Sequence, residues 1–421
     1  MNLKKPIIGS ITRLRELWKI KIFKYSIIIH LLYFIVATII TLTFFRDRND
    51  FAVYYEVGKT FVKDINNLYN LETRWPFRYF PLSAVLFVPF YLLGFNIGFI
   101  IFNLINLILN ILICVILYKI IILVRRKEKE DKRVITYISL FLMGIPQIFN
   151  YILGQINLYV TLLILISFLI YFKYDRNRWQ FIASLLLGIS IIIKPITIFM
   201  IPFIILIRYD YNMKKLNLEF KKTILRIVGV LLPLSLNIFI FLILPSLLKG
   251  FIEVNFIGED TIYINHSFSL TKVIENFLYF IGVTEEQLLN VQLLIFLSVL
   301  GVLGGFGFLI YLFRRRNSSD LIYGYTFGIL IMLLSYYDSW DHHLLILIPF
   351  LIIIIFNLTR NSQLTKNFIK PSLYFFSFFD LAFMGIWFLG ESIFPINFVP
   401  TIFLILVFYA LFKYCLAKNS F

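Results

Sequence analysis

Along most of its length the chain alternates long apolar blocks with short polar connectors. The blocks, roughly 15 to 28 residues each, are long enough to cross about 30 Å of hydrocarbon as helix. Leu, Ile and Phe occupy every face of them and leave no narrow amphipathic stripe, as expected of helices that meet lipid or one another. The pattern predicts an all-α, polytopic membrane protein with about 12 transmembrane helices (11–13) in a single domain spanning 1–421. The first block, about 25–45, is too long for a signal-peptide core and lacks a small-residue cleavage site, so it reads as an uncleaved anchor.

Composition agrees with that class. The chain is 60% hydrophobic, 19% aromatic and 15% charged, against about 25% charged in soluble domains. The formal charge of +17 would suggest nucleic acid in a soluble protein, but most of the excess lies in short connectors on one side. That placement reads as a topology signal with attraction to anionic lipid. The two cysteines, Cys114 and Cys415, stand inside apolar segments without metal or redox spacing, so no disulfide is expected.

The charges also orient the chain. Lys4 to Lys24, Arg125 to Arg133, Lys214 to Lys222, Arg314 to Arg316 and Arg360 to Lys370 are basic connectors, which puts them and both termini in the cytoplasm. The connectors between them then face outward. These include a first outer loop, 46–80, and a second long one, 249–290, which is rich in Glu. Residues 51–70 read as an interfacial amphipathic helix ending at Asn70. The block 179–207 lies between two basic connectors, so it must enter and leave on the same side. A break at Lys194-Pro195 would allow this, since proline removes a backbone donor and disfavours helix at the residue before it; the alternative is one long kinked helix with a snorkelling lysine. Pro81–Gly94 is apolar but short, and is expected to be partly inserted.

Polar groups in so apolar a chain are costly, and those gathered at one depth mark a site. Asp50, Gln155, Lys194, Asn265-His266 and Asp338 to His343 all fall on the outer side. Asp50 follows the first span and could take a proton from an attacking hydroxyl, or be a solvated loop aspartate. Arg78 suits a lipid phosphate or interfacial anchoring. The amides of Gln155 and Asn157 suit a sugar or a helix terminus. Lys194, in an apolar run, calls for an anion, with a phosphate or a structural carboxylate as the candidates. His266, His342 and His343 suit phosphate or hydroxyl hydrogen bonding, and Trp75 and Trp340 could stack on a sugar or belong to the aromatic belt. No metal site, nucleotide-binding loop or hydrolase elbow is present, so no cofactor is expected.

Taken in order, these motifs resemble the integral-membrane glycosyltransferases of GT-C type, and most closely glycosyltransferase family 87, the polyprenyl-phosphate-mannose-dependent mannosyltransferases. Asp50-Phe51-x-Val53-Tyr54-Tyr55, Tyr69 and Arg78-Tyr79-Phe80-Pro81-Leu82 resemble the family's first outer loop. Gly154-Gln155-Ile156-Asn157 resembles its G-Q-x-N element, Lys194-Pro195 its K-P element, Asn265-His266-Ser267 its N-x-S element, and Ser339-Trp340-Asp341-His342-His343 its S-W-x-H-H element. Phe80, and Tyr336-Tyr337-Asp338 before the S-W element, depart from the usual pattern.

The resemblance implies an inverting transferase at the outer face of the plasma membrane. It would move a sugar, mannose by this likeness, from a polyprenyl-phosphate donor to a hydroxyl of a glycolipid or glycan. Asp50 would be the general base. Lys194, His266, His342, His343 and Arg78 would serve the donor phosphate, and Tyr54, Gln155, Asn157, Asn265 and Trp340 the sugar or acceptor. The rival reading is a secondary transporter or flippase for an anionic or sugar-linked lipid, since broken helices near ionisable residues also build transport sites.

Overall fold

The computed structural model describes residues 17–125, 132–210, 213–257, 267–314, 320–359, 362–379, 382, 385 and 394–416. In chain order the helices are α1 (Lys21–Phe44), α2 (Asp50–Lys63), α3 (Val88–Leu92), α4 (Phe95–Arg125), α5 (Lys132–Met143), α6 (Ile145–Leu153), α7 (Asn157–Lys173), α8 (Asn177–Ile193), α9 (Ile201–Ile204), α10 (Phe220–Ile243), α11 (Pro245–Ile252), α12 (Leu270–Phe280), α13 (Glu285–Arg314), α14 (Leu321–Ser335), α15 (Leu344–Asn357), α16 (Lys370–Tyr374) and α17 (Val399–Leu416). Among the described residues six helical segments are long and apolar enough to cross a membrane: α1, α4, the α5–α6 pair, α10, most of α13 and α17. Shorter apolar segments, including α7, α8, α14 and α15, pack among them. The protein is an all-α membrane protein. Among the described residues the one departure is a two-stranded antiparallel ribbon, β1 (Ile207–Asp210) with β2 (Lys215–Leu218), in a connector that the hydrophobic pattern leaves without structure.

The burial pattern follows from lipid as solvent. In α1 the buried residues are Ser26, His30, Ala37 and Thr41, while Leu31, Leu32, Ile35 and Ile39 are exposed. Such a surface would be a large apolar patch in water and is an ordinary one in hydrocarbon. The buried stripe is the polar one, because a polar group facing lipid would lack a partner. His30 bonds the carbonyl of Leu142 at 3.0 Å, and Thr41 donates to the carbonyl of Ile152 at 2.8 Å. By contrast α14 and nearly all of α15 are buried all round and form the centre of the bundle.

Two features position the site. The first is a break at Lys194: α8 ends at Ile193, and Pro195 opens a 3-10 turn that runs to Met200 and into α9. The segment is therefore two helical pieces meeting at Lys194-Pro195. Arg226 of α10 ties the base of both together. It donates to Gln180 Oε1 from Nε at 2.8 Å and from an Nη at 2.6 Å, and to the carbonyl of Ile204 at 2.8 Å. Close approach of α8 and α10 depends on small residues. A Cβ on Gly188 would meet the Val230 carbonyl oxygen at 2.5 Å, and one on Gly229 the Ser184 Cβ at 2.6 Å.

The second is the first outer loop. The amphipathic helix expected over 51–70 is shorter, ending at Lys63. Asp64 stops it by accepting hydrogen bonds from the Asn66 backbone at 3.3 Å and the Asn67 amide at 2.7 Å. This local competition with the helix ladder is typical of aspartate. Pro81–Phe87 then forms a 3-10 helix continuing into α3, packed on α2 and α4.

Candidate active site

Asp50 is the first residue of α2, which Asn49 caps by accepting from the Ala52 N–H at 2.9 Å. Its carboxylate accepts a hydrogen bond from Gln155 Nε2 at 2.5 Å. Gln155 is held in turn by Tyr54, whose hydroxyl donates to its Oε1 at 3.3 Å and shares a 3.0 Å hydrogen bond with the Tyr79 hydroxyl. Tyr54 is itself fixed by stacking on Phe87, ring centroids 4.4 Å apart.

Gln155 reaches Asp50 because α6 ends in a Schellman motif. Gly154 takes φ +65°, its N–H bonds the Tyr151 carbonyl at 3.3 Å, and the Gln155 N–H bonds the Asn150 carbonyl at 2.9 Å. A ladder of asparagines on α4 braces this turn. Asn103 donates to the Tyr151 carbonyl at 3.1 Å, Asn106 to the Gln155 carbonyl at 3.4 Å, and Asn110 to Gln147 Oε1 at 3.0 Å. The sequence reading passed over these three. Their spacing of i, i+3, i+7 within an apolar helix is the signal that would have found them.

Lys194 is 3% exposed, and its ammonium donates to Asn157 Oδ1 at 2.5 Å. Among the described residues no carboxylate lies within ion-pair distance of it. Asp50 and Asp338 act on it through space, and its charge reaches His342 and His343. The lysine is thus held by a neutral amide within a polar cluster. Three helical starts meet at this cluster: Asp50 opens α2, Asn157 opens α7, and Asp341 opens the 3-10 turn into α15. Helix N-termini favour anions.

The segment 336–343 forms the opposite wall. Arg78 lies 3.3 Å from Asp338 Oδ2 and donates to the Tyr336 hydroxyl at 3.3 Å. Trp340 donates its indole N–H to Asp338. The Trp340 backbone N–H donates to His343 Nδ1 at 3.0 Å, which puts the ring proton of a neutral imidazole on Nε2 as a donor. The His342 and His343 rings meet edge to face at 4.4 Å. The wall is stitched to the second outer loop: Ser267 donates to the Tyr337 carbonyl at 2.8 Å and Thr271 to the Ser335 carbonyl at 2.6 Å. Behind it Lys272 and Glu275 form a buried ion pair of 2.8 Å, which the sequence reading did not single out.

Burial pushes the Asp50 carboxyl up to about 6, against the opposing pull of the Gln155 hydrogen bond and the Lys194 charge. A carboxylate of that strength is matched to proton abstraction near neutral pH.

The fold thus gathers Asp50, Tyr54, Arg78, Gln155, Asn157, Lys194, Trp340, His342 and His343 into one region. Tyr54 and Asn157 are buried; Tyr54 bonds Gln155 and Tyr79, and Asn157 bonds Lys194 and Asn150. Asn265 and His266 lie outside the described residues. Asp338, Tyr79 and Tyr336 join the region without having been assigned a role. Among the described residues no group of three His, Cys, Asp or Glu side chains is arranged to hold a metal ion.

No curated protein sequence matches the chain. The profile of glycosyltransferase family 87 matches residues 77–335, well over half of it. The match takes in Arg78, Gln155, Asn157 and Lys194, while Asp50 and His342-His343 lie outside it. The chain belongs to glycosyltransferase family 87.

Proposed function

We propose that the protein transfers a sugar, mannose by its likeness to the family's polyprenyl-phosphate-mannose enzymes, from a polyprenyl-phosphate donor to a hydroxyl of a glycolipid or glycan. The observation that carries this reading is the pairing of Asp50 with Gln155 in one cluster with Lys194, His342 and His343. A base stands at one side of the cluster and cationic or N–H donors stand at the other. Asp50 takes the proton of the acceptor hydroxyl as its oxygen attacks the anomeric carbon. The bond from that carbon to the phosphate oxygen breaks in the same displacement, which inverts the centre and releases polyprenyl phosphate. Lys194, His343 through Nε2–H, His342 and Arg78 offset the charge that grows on the leaving phosphate. Asn157 aims the lysine, and Tyr54 aims Gln155 at the base. Asn265 and Trp340 complete the sugar and acceptor surface, and His266 adds to the phosphate side.

The topology that suits this chemistry has about 12 spans in the plasma membrane, both termini in the cytoplasm and the cluster facing outward, where a lipid-linked donor replaces nucleotide sugars. Residues 46–80 and 249–290 are then the two outer loops over a single membrane domain. Family membership favours transfer over the translocation that a transporter would perform. The test is transfer of radiolabelled mannose from polyprenyl-phosphate mannose to native lipid extract, by membranes carrying the wild type or Asp50→Asn. Product from the wild type alone supports the reading. Equal product from both moves the base elsewhere, and none from either removes this donor.

A further inference from the structure

At the opposite end of α15 from His343 lies a half-open cavity of mixed polar and apolar lining, of about 430 Å³. The 14 residues of α15 separate the two regions by about 21 Å at 1.5 Å per residue. Two connectors far apart in the sequence supply its cations: Arg125 ends α4, Arg133 lies in the first turn of α5, and Lys370 begins α16. Tyr137, Asn357 and Thr365 line it as well. Thr365 is 1% exposed, and its hydroxyl has no hydrogen-bond partner among the described residues.

Three arguments give the ligand its chemistry. The first turn of α5 carries Lys132 and Arg133 and no acidic residue, which sets cations at the positive end of a helix dipole. The N-terminus of a helix favours an anion. The Arg125 guanidinium is held 5.5 Å over the Phe356 ring, and a planar fork fixed in this way suits the oxygens of a phosphate. The volume lies in the range of cavities that hold organic ligands, roughly 300–1,000 Å³, and exceeds what inorganic phosphate fills. Val124, Ile355 and Leu358 supply apolar wall beside the charges.

We propose that this cavity binds a phosphate ester of headgroup size, held by Arg125, Arg133, Lys370 and the Thr365 hydroxyl, on the face away from Asp50. The site is independent of the donor chemistry at Asp50. Phosphate of this kind comes either from an anionic phospholipid or from a soluble phosphate ester.

The experiment is thermal unfolding of the full-length protein in neutral detergent. Dioleoyl-phosphatidylglycerol, dioleoyl-phosphatidylcholine and glycerol 3-phosphate are titrated in turn. Ligand that binds the native state raises the Tm. Phosphatidylglycerol is expected to raise it, with an apparent affinity about tenfold lower in Arg133→Gln/Lys370→Gln, while Lys366→Gln, which removes a nearby charge that does not line the cavity, matches the wild type. A shift with phosphatidylglycerol alone identifies a lipid source, and the same variant-dependent shift with glycerol 3-phosphate identifies a soluble one. Thr365→Val tests the same contact with no change of charge and serves if the double variant does not fold. Absence of any shift, a shift equal in phosphatidylcholine, or one that the variants leave unchanged overturns the proposal.

Discussion

A Cβ on Gly154 would stand 2.6 Å from the Cβ of Phe51. Phe51 follows the candidate base and Gly154 precedes the glutamine that binds it, so this contact sets the spacing on which the Asp50–Gln155 hydrogen bond depends. Gly154 also holds a positive φ of 65°, which a side chain adopts at a cost of about 1 kcal/mol. Gly154→Ala is therefore expected to lower stability by roughly 1–3 kcal/mol. Sugar transfer should fall about a hundredfold, because a misplacement of 1 Å near the chemistry has that effect. Transfer assays beside thermal melts check both. Activity lost only in proportion to folded protein would show that the contact does not set the site.

Asp50 gives the next expectation, through pH. Its native pKa of about 6 lies above the ordinary value of 3.8, so between those values the native state holds more proton than the unfolded chain. The resulting stabilisation is present in full below about pH 4 and is lost as pH rises through 6. Asp50→Asn removes this dependence while keeping an oxygen to accept from Gln155. Above pH 7 the variant should be more stable than the wild type by on the order of 1–3 kcal/mol, and slower in transfer by 10²–10⁴-fold. The wild-type kcat/KM should fall with unit slope below about pH 6. Melts from pH 4 to 8 and a pH–rate profile test these together, and a variant that is less stable at every pH would refute the linkage.

Long apolar blocks made the membrane class legible from the sequence, and the proline after Lys194 marked the break between α8 and the turn into α9. Local motifs with strong chemistry, such as Gly154-Gln155 and Trp340 to His343, could be read because their residue types are rare in such a chain. The supports were harder to see. Asn103, Asn106 and Asn110 act through groups of α6 and the turn that follows it, and Arg226 through Gln180 and Ile204; each partner is set by packing between segments far apart in sequence. Arg78 was assigned to phosphate, and the charge beside it is Asp338, a partner far away in sequence. The end of α2 at Lys63 was missed because the apolar spacing continues past it, while the Asp64 side chain decides where the helix stops.

Lys194 has a neutral partner, and this separates two roles. If Asn157 serves to aim the ammonium, Asn157→Leu should raise the KM for a polyprenyl-phosphate sugar about tenfold with smaller loss of kcat. Lys194→Met should lower kcat itself by about 10²–10³, the usual effect of removing one donor to a developing oxyanion. The fold should survive Lys194→Met, since the change removes a buried charge and leaves an amide that an ordered water can satisfy. Steady-state kinetics on both variants decide this. An unchanged kcat in Lys194→Met would take the lysine out of the leaving-group role.

Behind the wall that carries Asp338, the ion pair of Lys272 with Glu275 is fully buried at 2.8 Å. Burial pushes the two groups toward neutrality from opposite sides, lowering the lysine and raising the glutamate. Such a pair is weak support for stability while both members are present, but removal of one leaves a buried charge without compensation, at about 3–5 kcal/mol. Lys272→Met alone should therefore destabilise by that amount, and Lys272→Met with Glu275→Gln should recover most of it. Because α12 is joined to the wall through Thr271 and Ser335, the single variant should also lose transfer, and the double variant should regain it. A double-mutant cycle in stability and in rate tests the coupling. Additive losses would show that the two residues act separately and that the wall holds its position without them.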